Sequence, residues 1–216
     1  MQYKAVIFDF DYTLGDSTEG IITSANYALE RMGKQPAERE AIRKTIGLSL
    51  PETYLALTGD KCPEKGEEFR LFFVEKADEI MTVSSELYPQ AEKILQYLKQ
   101  KEIKVAVVTT KFDYRIEGIL EKCHATEYVQ MIVGGNNVEN PKPDPQGTLM
   151  VLEKWNLKKE EVLYVGDSLV DAQTAMRAGV DFAGVTTGTT AKEDFRAYDS
   201  VGVVEDLLQL KAVGIL

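Results

Sequence analysis

Histidine, cysteine and tryptophan are scarce in this 216-residue chain: one His, two Cys and one Trp. The usual general base is therefore present once, as His124 in Cys123-His124-Ala125, at the end of a helical pattern, where a surface role is expected rather than catalysis. Cys62 and Cys123 lie far apart without metal-ligand spacing. That excludes a disulfide framework and predicts reduced, partly buried thiols in a reducing compartment. No apolar run approaches the ~20 residues needed to span a bilayer. The opening MQYKAVIFDF lacks the basic segment and longer apolar stretch of a signal peptide, which predicts a cytoplasmic protein. Positive charge is also in deficit, with 25 Lys plus Arg against 35 Asp plus Glu and a formal net charge of −10. Nucleic acid and anionic membranes are thereby excluded as natural partners. Anionic small molecules are repelled too, so a phosphate site must make its own positive potential from a cation, a lysine or backbone N–H groups. Neither the dinucleotide fingerprint nor the phosphate-loop spacing occurs; the Gly- and Thr-rich stretch Gly184 to Thr190 reads as an ordinary loop near a site rim.

What is present is alternation. Short, continuous apolar runs occur at Ala5-Val6-Ile7-Phe8, Val105 to Val108, Gln130 to Val133, Val162 to Val165 and Phe182 to Val185, each closing on polar or glycine residues. Unbroken runs of this length suit strands covered on both faces. Helical patterns at 89–101, 113–122, 145–156 and 169–178 follow them, the first with Ala91, Ile94, Leu95 and Leu98 on one face. Strand alternating with helix predicts an α/β fold, a doubly wound, Rossmann-like parallel sheet whose ligands bind beyond the carboxyl ends of the strands. Residues 16–84 break the pattern with helices alone, at 18–32, 37–46, 51–58 and 64–82. The expected organisation is a Rossmann-like core from 1–15 and 85–216, interrupted by an inserted α-helical cap over 16–84. Oligomeric state is open between monomer and homodimer.

Chemistry-bearing residues collect at the predicted strand ends. Asp9 and Asp11 in FDFDYTLGDS hold two carboxylates two residues apart just past the first strand, with Thr13 following. Like charges so placed call for a cation or a proton between them. A second acidic pair, Asp167 and Asp171 in GDSLVD, lies at another strand end beside Ser168. Two converging acidic clusters suit Mg²⁺, which takes oxygen ligands and keeps waters and substrate phosphate in its shell. Thr109 and Thr110 add hydroxyls and a helix start, and Lys142 sits among three prolines in NPKPDP. Singly, each has a bland reading: Asp11 with Thr13 as an Asx turn, Lys142 as a solvated loop lysine, Asp167 as a helix cap. Together, in this order, they match phosphoryl transfer, with a carboxylate available as nucleophile.

FDFDYTLGDS, VAVVTTK, NPKPDP and YVGDSLVDAQTAMRAG resemble, in that order, the haloacid dehalogenase superfamily, in its phosphoglycolate phosphatase-like and β-phosphoglucomutase-like branch with a helical cap. The resemblance implies Asp9 as nucleophile and Mg²⁺ ligand. It makes Asp11 the acid/base whose backbone carbonyl also binds metal, and Asp167 the third ligand, supported by Thr13, Ser168 and Asp171. Thr109 and Lys142 would hold the transferring phosphoryl. Thr110, Lys111 and, from the cap segment IRKTIGLSL, Arg43 would touch the substrate, a small phosphorylated metabolite. Tyr12 stands where relatives carry glycine, and Thr110 where asparagine is common. An aspartate at 11 favours phosphate over halide chemistry, because a departing halide needs no proton. A phosphomutase shares every core motif and is the alternative. A phospho-accepting signalling module is a third reading, disfavoured by Asp11 and the insertion.

Overall fold

The computed structural model describes residues 3–216. The chain divides into two compact units, one made of the described residues up to Asp16 with Leu87–Leu216, the other of Ser17–Glu86.

In the first unit, β1 (Ala5–Phe8) leads to the short β2 (Gly15–Asp16). The second unit carries α1 (Thr18–Arg31), α2 (Arg39–Arg43), α3 (Leu50–Thr58) and α4 (Pro63–Ser84). The chain returns through β3 (Glu86–Leu87), which pairs with β2, and continues with α5 (Pro89–Gln100), β4 (Lys104–Val108) and α6 (Asp113–Lys122). Then come β5 (Met131–Val133), α7 (Gln146–Trp155), β6 (Val162–Gly166), α8 (Leu169–Ala178), β7 (Asp181–Val185), β8 (Gly202–Val204) and α9 (Gln209–Ala212).

The main sheet has six strands in the order β5-β4-β1-β6-β7-β8, every described pairing parallel. Strand β1 lies between β4 and β6, with Phe8 opposite Val107 on one side and Val165 on the other. The chain therefore winds outward in both directions from β1, and its carboxyl end is the crevice where ligands of doubly wound sheets bind.

Strand geometry explains the two cores. Successive side chains point to opposite faces, so Val6 and Phe8 pack with Val105, Val107, Leu163 and Val165 against Ile94, Leu98, Ile116 and Ile119 of α5 and α6. Ala5 and Ile7 pack on the other face with Ala106, Val108, Val162 and Tyr164 against Val151 of α7 and Ala172 and Ala175 of α8. Burial on both faces is why these strands read as continuous apolar runs rather than alternating ones.

The helical unit has a core of its own: Ala25, Ala28 and Leu29 of α1, Ile42, Tyr54, and Phe69, Phe73, Ala77 and Met81 along α4. Helices α1 and α4 approach closely at Gly20, where a Cβ would fall 2.9 Å from Met81 Sδ and 2.5 Å from Ser84 Oγ. Ser49 and Glu52 form a capping box at the start of α3. The pattern expected over 37–46 contracts to the five residues of α2, because only Ile42 and Thr45 of that stretch are buried and little apolar surface rewards a longer helix.

Candidate active site

The chain leaves β1 into a tight loop over the carboxyl end of the sheet. The Phe10 carbonyl accepts from the N–H groups of Thr13, Leu14 and Gly15 at 2.9–3.1 Å, and Tyr12 N–H donates to the Gly15 carbonyl at 2.8 Å. This curl requires a left-handed residue at position 12, where Tyr12 has φ 61°. A non-glycine residue is costly there, and the loop is held from outside by Thr187 Oγ1–H, which donates to the Tyr12 carbonyl. Asp9 precedes the curl, Asp11 lies within it, and both are buried.

Lys142 reaches the same place from the loop ahead of α7. It is 6% exposed, with Nζ 2.7 Å from Asp171 Oδ1 and 2.9 Å from Asp9 Oδ1. Asp171 is doubly committed: its Oδ2 accepts from Ser168 N–H at 3.0 Å and Ser168 Oγ–H at 2.6 Å, closing the capping box of α8. Thr13 Oγ1–H donates to Asp167 Oδ1 at 3.2 Å. Thr109 is buried at the end of β4, its N–H bonded to the Val133 carbonyl at 3.0 Å and its Oγ1 accepting from Lys111 N–H at 3.3 Å. Lys111 is buried with Nζ 3.2 Å from Asp11 Oδ2. Thr110 presents its carbonyl to Gly135, where a Cβ would come within 2.5 Å of that oxygen.

Asp9, Asp11, Thr13, Thr109, Lys111, Lys142, Asp167, Ser168 and Asp171 therefore all lie at or just beyond the carboxyl ends of β1, β4 and β6 or in the loop before α7. Arg43 is the exception. It belongs to the helical unit, at the end of α2, where its guanidinium pairs with Glu40 at 2.9 Å. His124 is exposed, just past α6, at φ 54°.

Electrostatics at the site run against the carboxylates. Burial first, then the charges of Asp171 and Asp11, push Asp9 up to about 6 despite the opposing Lys142 ammonium. Burial and the charges of Asp171 and Asp9 hold Asp167 well above the ordinary carboxylate range. Burial alone would depress Lys142, but Asp171 and Asp9 outweigh it and keep the ammonium well above its usual value. Lys111 is lowered by burial, with Asp11 opposing. Four buried carboxyl groups thus share two ammoniums, and positive charge is in deficit.

A divalent cation fits that deficit. Oxygens of Asp9, Asp167 and Asp171 lie within 4.8 Å of one another. Asp171 is occupied by Lys142 and Ser168, which leaves Asp9 and Asp167 as the side chains free to turn oxygens to an ion. Asp9 Oδ1 has no partner beyond the Lys142 ammonium, and buried Asp11 Oδ1 has none, among the described residues. Buried, under-satisfied carboxylate oxygens are what a hard cation or a protonated ligand would complete.

Two features escape a reading of the sequence. Tyr164, within an apolar strand run, extends its hydroxyl across β1 to donate to the Val108 carbonyl at 3.0 Å, and it lies 3.4 Å from Asp171 Oδ1 beneath Lys142. The only hint is general: a buried tyrosine needs a partner for its hydroxyl. The stretch Gly184 to Thr190 is more than a rim loop, since Thr187 grips the Tyr12 carbonyl and Gly188 packs on the Asp167 carboxylate.

A family signature described as haloacid dehalogenase-like hydrolase matches residues 6–185, and the chain belongs to that family. Among similar proteins, pyrophosphatase PpaX of Bacillus velezensis is 30% identical over 212 residues, covering 97% of this chain and 96% of its own. Phosphoglycolate phosphatase 1 of Pseudomonas aeruginosa is 30% identical over 190 residues, covering 86% and 70%. A haloacid dehalogenase-like hydrolase from Bacteroides fragilis has a solved structure that superposes with TM-score 0.93 at 39% identity, covering 97% of this chain and 100% of that one. The chain is accordingly a hydrolase of this family. Among the described residues no helix is long and apolar enough to cross a membrane.

Proposed function

We propose that this chain is a Mg²⁺-dependent phosphatase that transfers the phosphoryl group of a small metabolite to Asp9 and then to water. The carrying observation is the pairing of a buried Asp9 carboxylate, 2.9 Å from the Lys142 ammonium, with a second carboxylate two residues on whose Oδ1 has no partner among the described residues. Asp9 and Asp167, with the Asp11 backbone carbonyl, would hold the ion. When bound, Mg²⁺ neutralises phosphoryl and carboxylate oxygens so that two anions can approach.

An Asp9 oxygen attacks phosphorus, the bond from phosphorus to the ester oxygen breaks, and Asp11 delivers a proton to the departing oxygen. Asp11, now ionised, takes a proton from water as the water oxygen attacks phosphorus. The bond to Asp9 breaks, inorganic phosphate forms, and both carboxyl groups are restored. Lys142 balances the charge of Asp9 throughout, and the Thr109 hydroxyl donates to a phosphoryl oxygen. Thr110 and Lys111 contact the substrate, and the helical unit, through Arg43, acts as the cap that selects it. Names among the relatives make phosphoglycolate and pyrophosphate the first substrates to try, with sugar phosphates and nucleotides beside them.

The test is phosphate release from such a set, with Mg²⁺ and with chelator. Turnover of at least one compound in Mg²⁺, abolished by chelator and by Asp9→Asn, is the expected result; metal-independent hydrolysis, or substantial activity in Asp9→Asn, would refute the assignment. Phosphate release without any added bisphosphate separates a phosphatase from a phosphomutase.

A further inference from the structure

The turn that follows β7 has no part in the reaction just described, yet it meets the site at two points. Thr187 Oγ1–H donates to the carbonyl of Tyr12, the left-handed residue of the loop carrying Asp9 and Asp11. One residue on, Gly188 lies so close to Asp167 that a Cβ there would fall 1.8 Å from Oδ2, 2.8 Å from Cγ and 3.2 Å from Cβ. Such an approach is impossible for any side chain without displacing the carboxylate. Gly188 is not in the left-handed region, so φ does not exclude alanine there. The reason for glycine at 188 is space rather than φ.

Asp167 is short and buried, and its other oxygen is held by Thr13 Oγ1–H at 3.2 Å. The carboxylate is thus clamped between a hydroxyl on one side and a bare backbone on the other. We infer that Gly188, anchored by Thr187, is a positioning residue for the cation: it fixes the rotation of Asp167 so that a carboxylate oxygen faces the ion, and it ties that setting to the loop bearing the nucleophile. The inference rests on the proposed metal role of Asp167.

Outer partners that orient a metal ligand typically change affinity by about 10–100-fold when altered. Metal-depleted wild type and Gly188→Ala are titrated with Mn²⁺, and free Mn²⁺ is read by electron paramagnetic resonance. Thermal unfolding in chelator is followed in parallel. The expected result is Mn²⁺ binding at least about tenfold weaker in Gly188→Ala, with an unfolding temperature in chelator close to wild type. Equal Mn²⁺ affinity in the two proteins overturns the role of Gly188 while leaving the metal site standing; a wild type that binds no Mn²⁺ overturns the metal reading itself. If the added methyl prevents folding, Thr187→Val and Thr187→Ser carry the same comparison. Weaker binding in Val restored by Ser supports the anchor, and wild-type binding in both overturns it.

Discussion

Asp9→Asn should inactivate the enzyme and stabilise the metal-free fold. Burial lifts Asp9 from its ordinary 3.8 to about 6, so ionising it in the native protein is harder than in the unfolded chain. At about 1.36 kcal/mol per pH unit of displacement, that amounts to about 3 kcal/mol. The sign follows from proton binding. Between pH 3.8 and about 6 the native state keeps a proton on Asp9 that the unfolded state has released, so stability falls as pH rises through this window and then levels off. Asparagine has nothing to ionise and escapes the loss, while its carbonyl can still accept from Lys142. The two proteins should therefore be similarly stable near pH 4, diverge as pH rises, and differ by about 3 kcal/mol above pH 6.5, roughly 6–12 °C in unfolding temperature for a chain of this length. Thermal unfolding of both proteins in chelator from pH 4 to 8 measures the gap. A gap that stays flat with pH, or an Asn variant less stable than wild type at pH 7.5, would refute the electrostatic account. Saturating Mg²⁺ should close the gap by favouring wild type.

Further outcomes follow from the same geometry. Lys142→Met leaves Asp9 and Asp171 buried without their shared ammonium and should cost about 3–5 kcal/mol in urea unfolding, with turnover lost; a change under about 1 kcal/mol would show the pair to be solvated. Tyr164→Phe leaves the buried Val108 carbonyl without its donor and should lower stability by about 1–3 kcal/mol, with reduced turnover and unchanged KM for the phosphate ester. Asp11→Asn should slow phosphate release by about 10²–10⁴-fold in steady-state assays.

Most of the site was legible because its residues mark strand ends. Asp9, Thr109 and Asp167 each close an apolar run, and a buried run has no other place for a charge or hydroxyl than its solvent-facing terminus. The sheet was legible for the same reason, except β8: Gly202, Val203 and Val204 are too few to show a period. Asp171 stood one turn from Asp167 in the sequence, but nothing there said that its oxygens would be divided between Lys142 and its own helix cap. Tyr164 and Gly188 were hidden by a different cause. Their roles come from strands that are not adjacent in the chain, one hydroxyl crossing β1 to β4 and one backbone turn after β7 closing on the end of β6. Tyr12 was visible as an anomaly; what sustains it, the Thr187 hydroxyl, lies 175 residues away.

The nucleophile is tested most directly by trapping. Enzyme quenched during turnover in Mg²⁺ and reduced with borohydride converts an aspartyl phosphate to homoserine, which peptide mass spectrometry locates. The account predicts homoserine at position 9 alone, absent from protein never exposed to substrate. Turnover with no modified Asp9, or homoserine at Asp11, Asp167 or Asp171 instead, would contradict it.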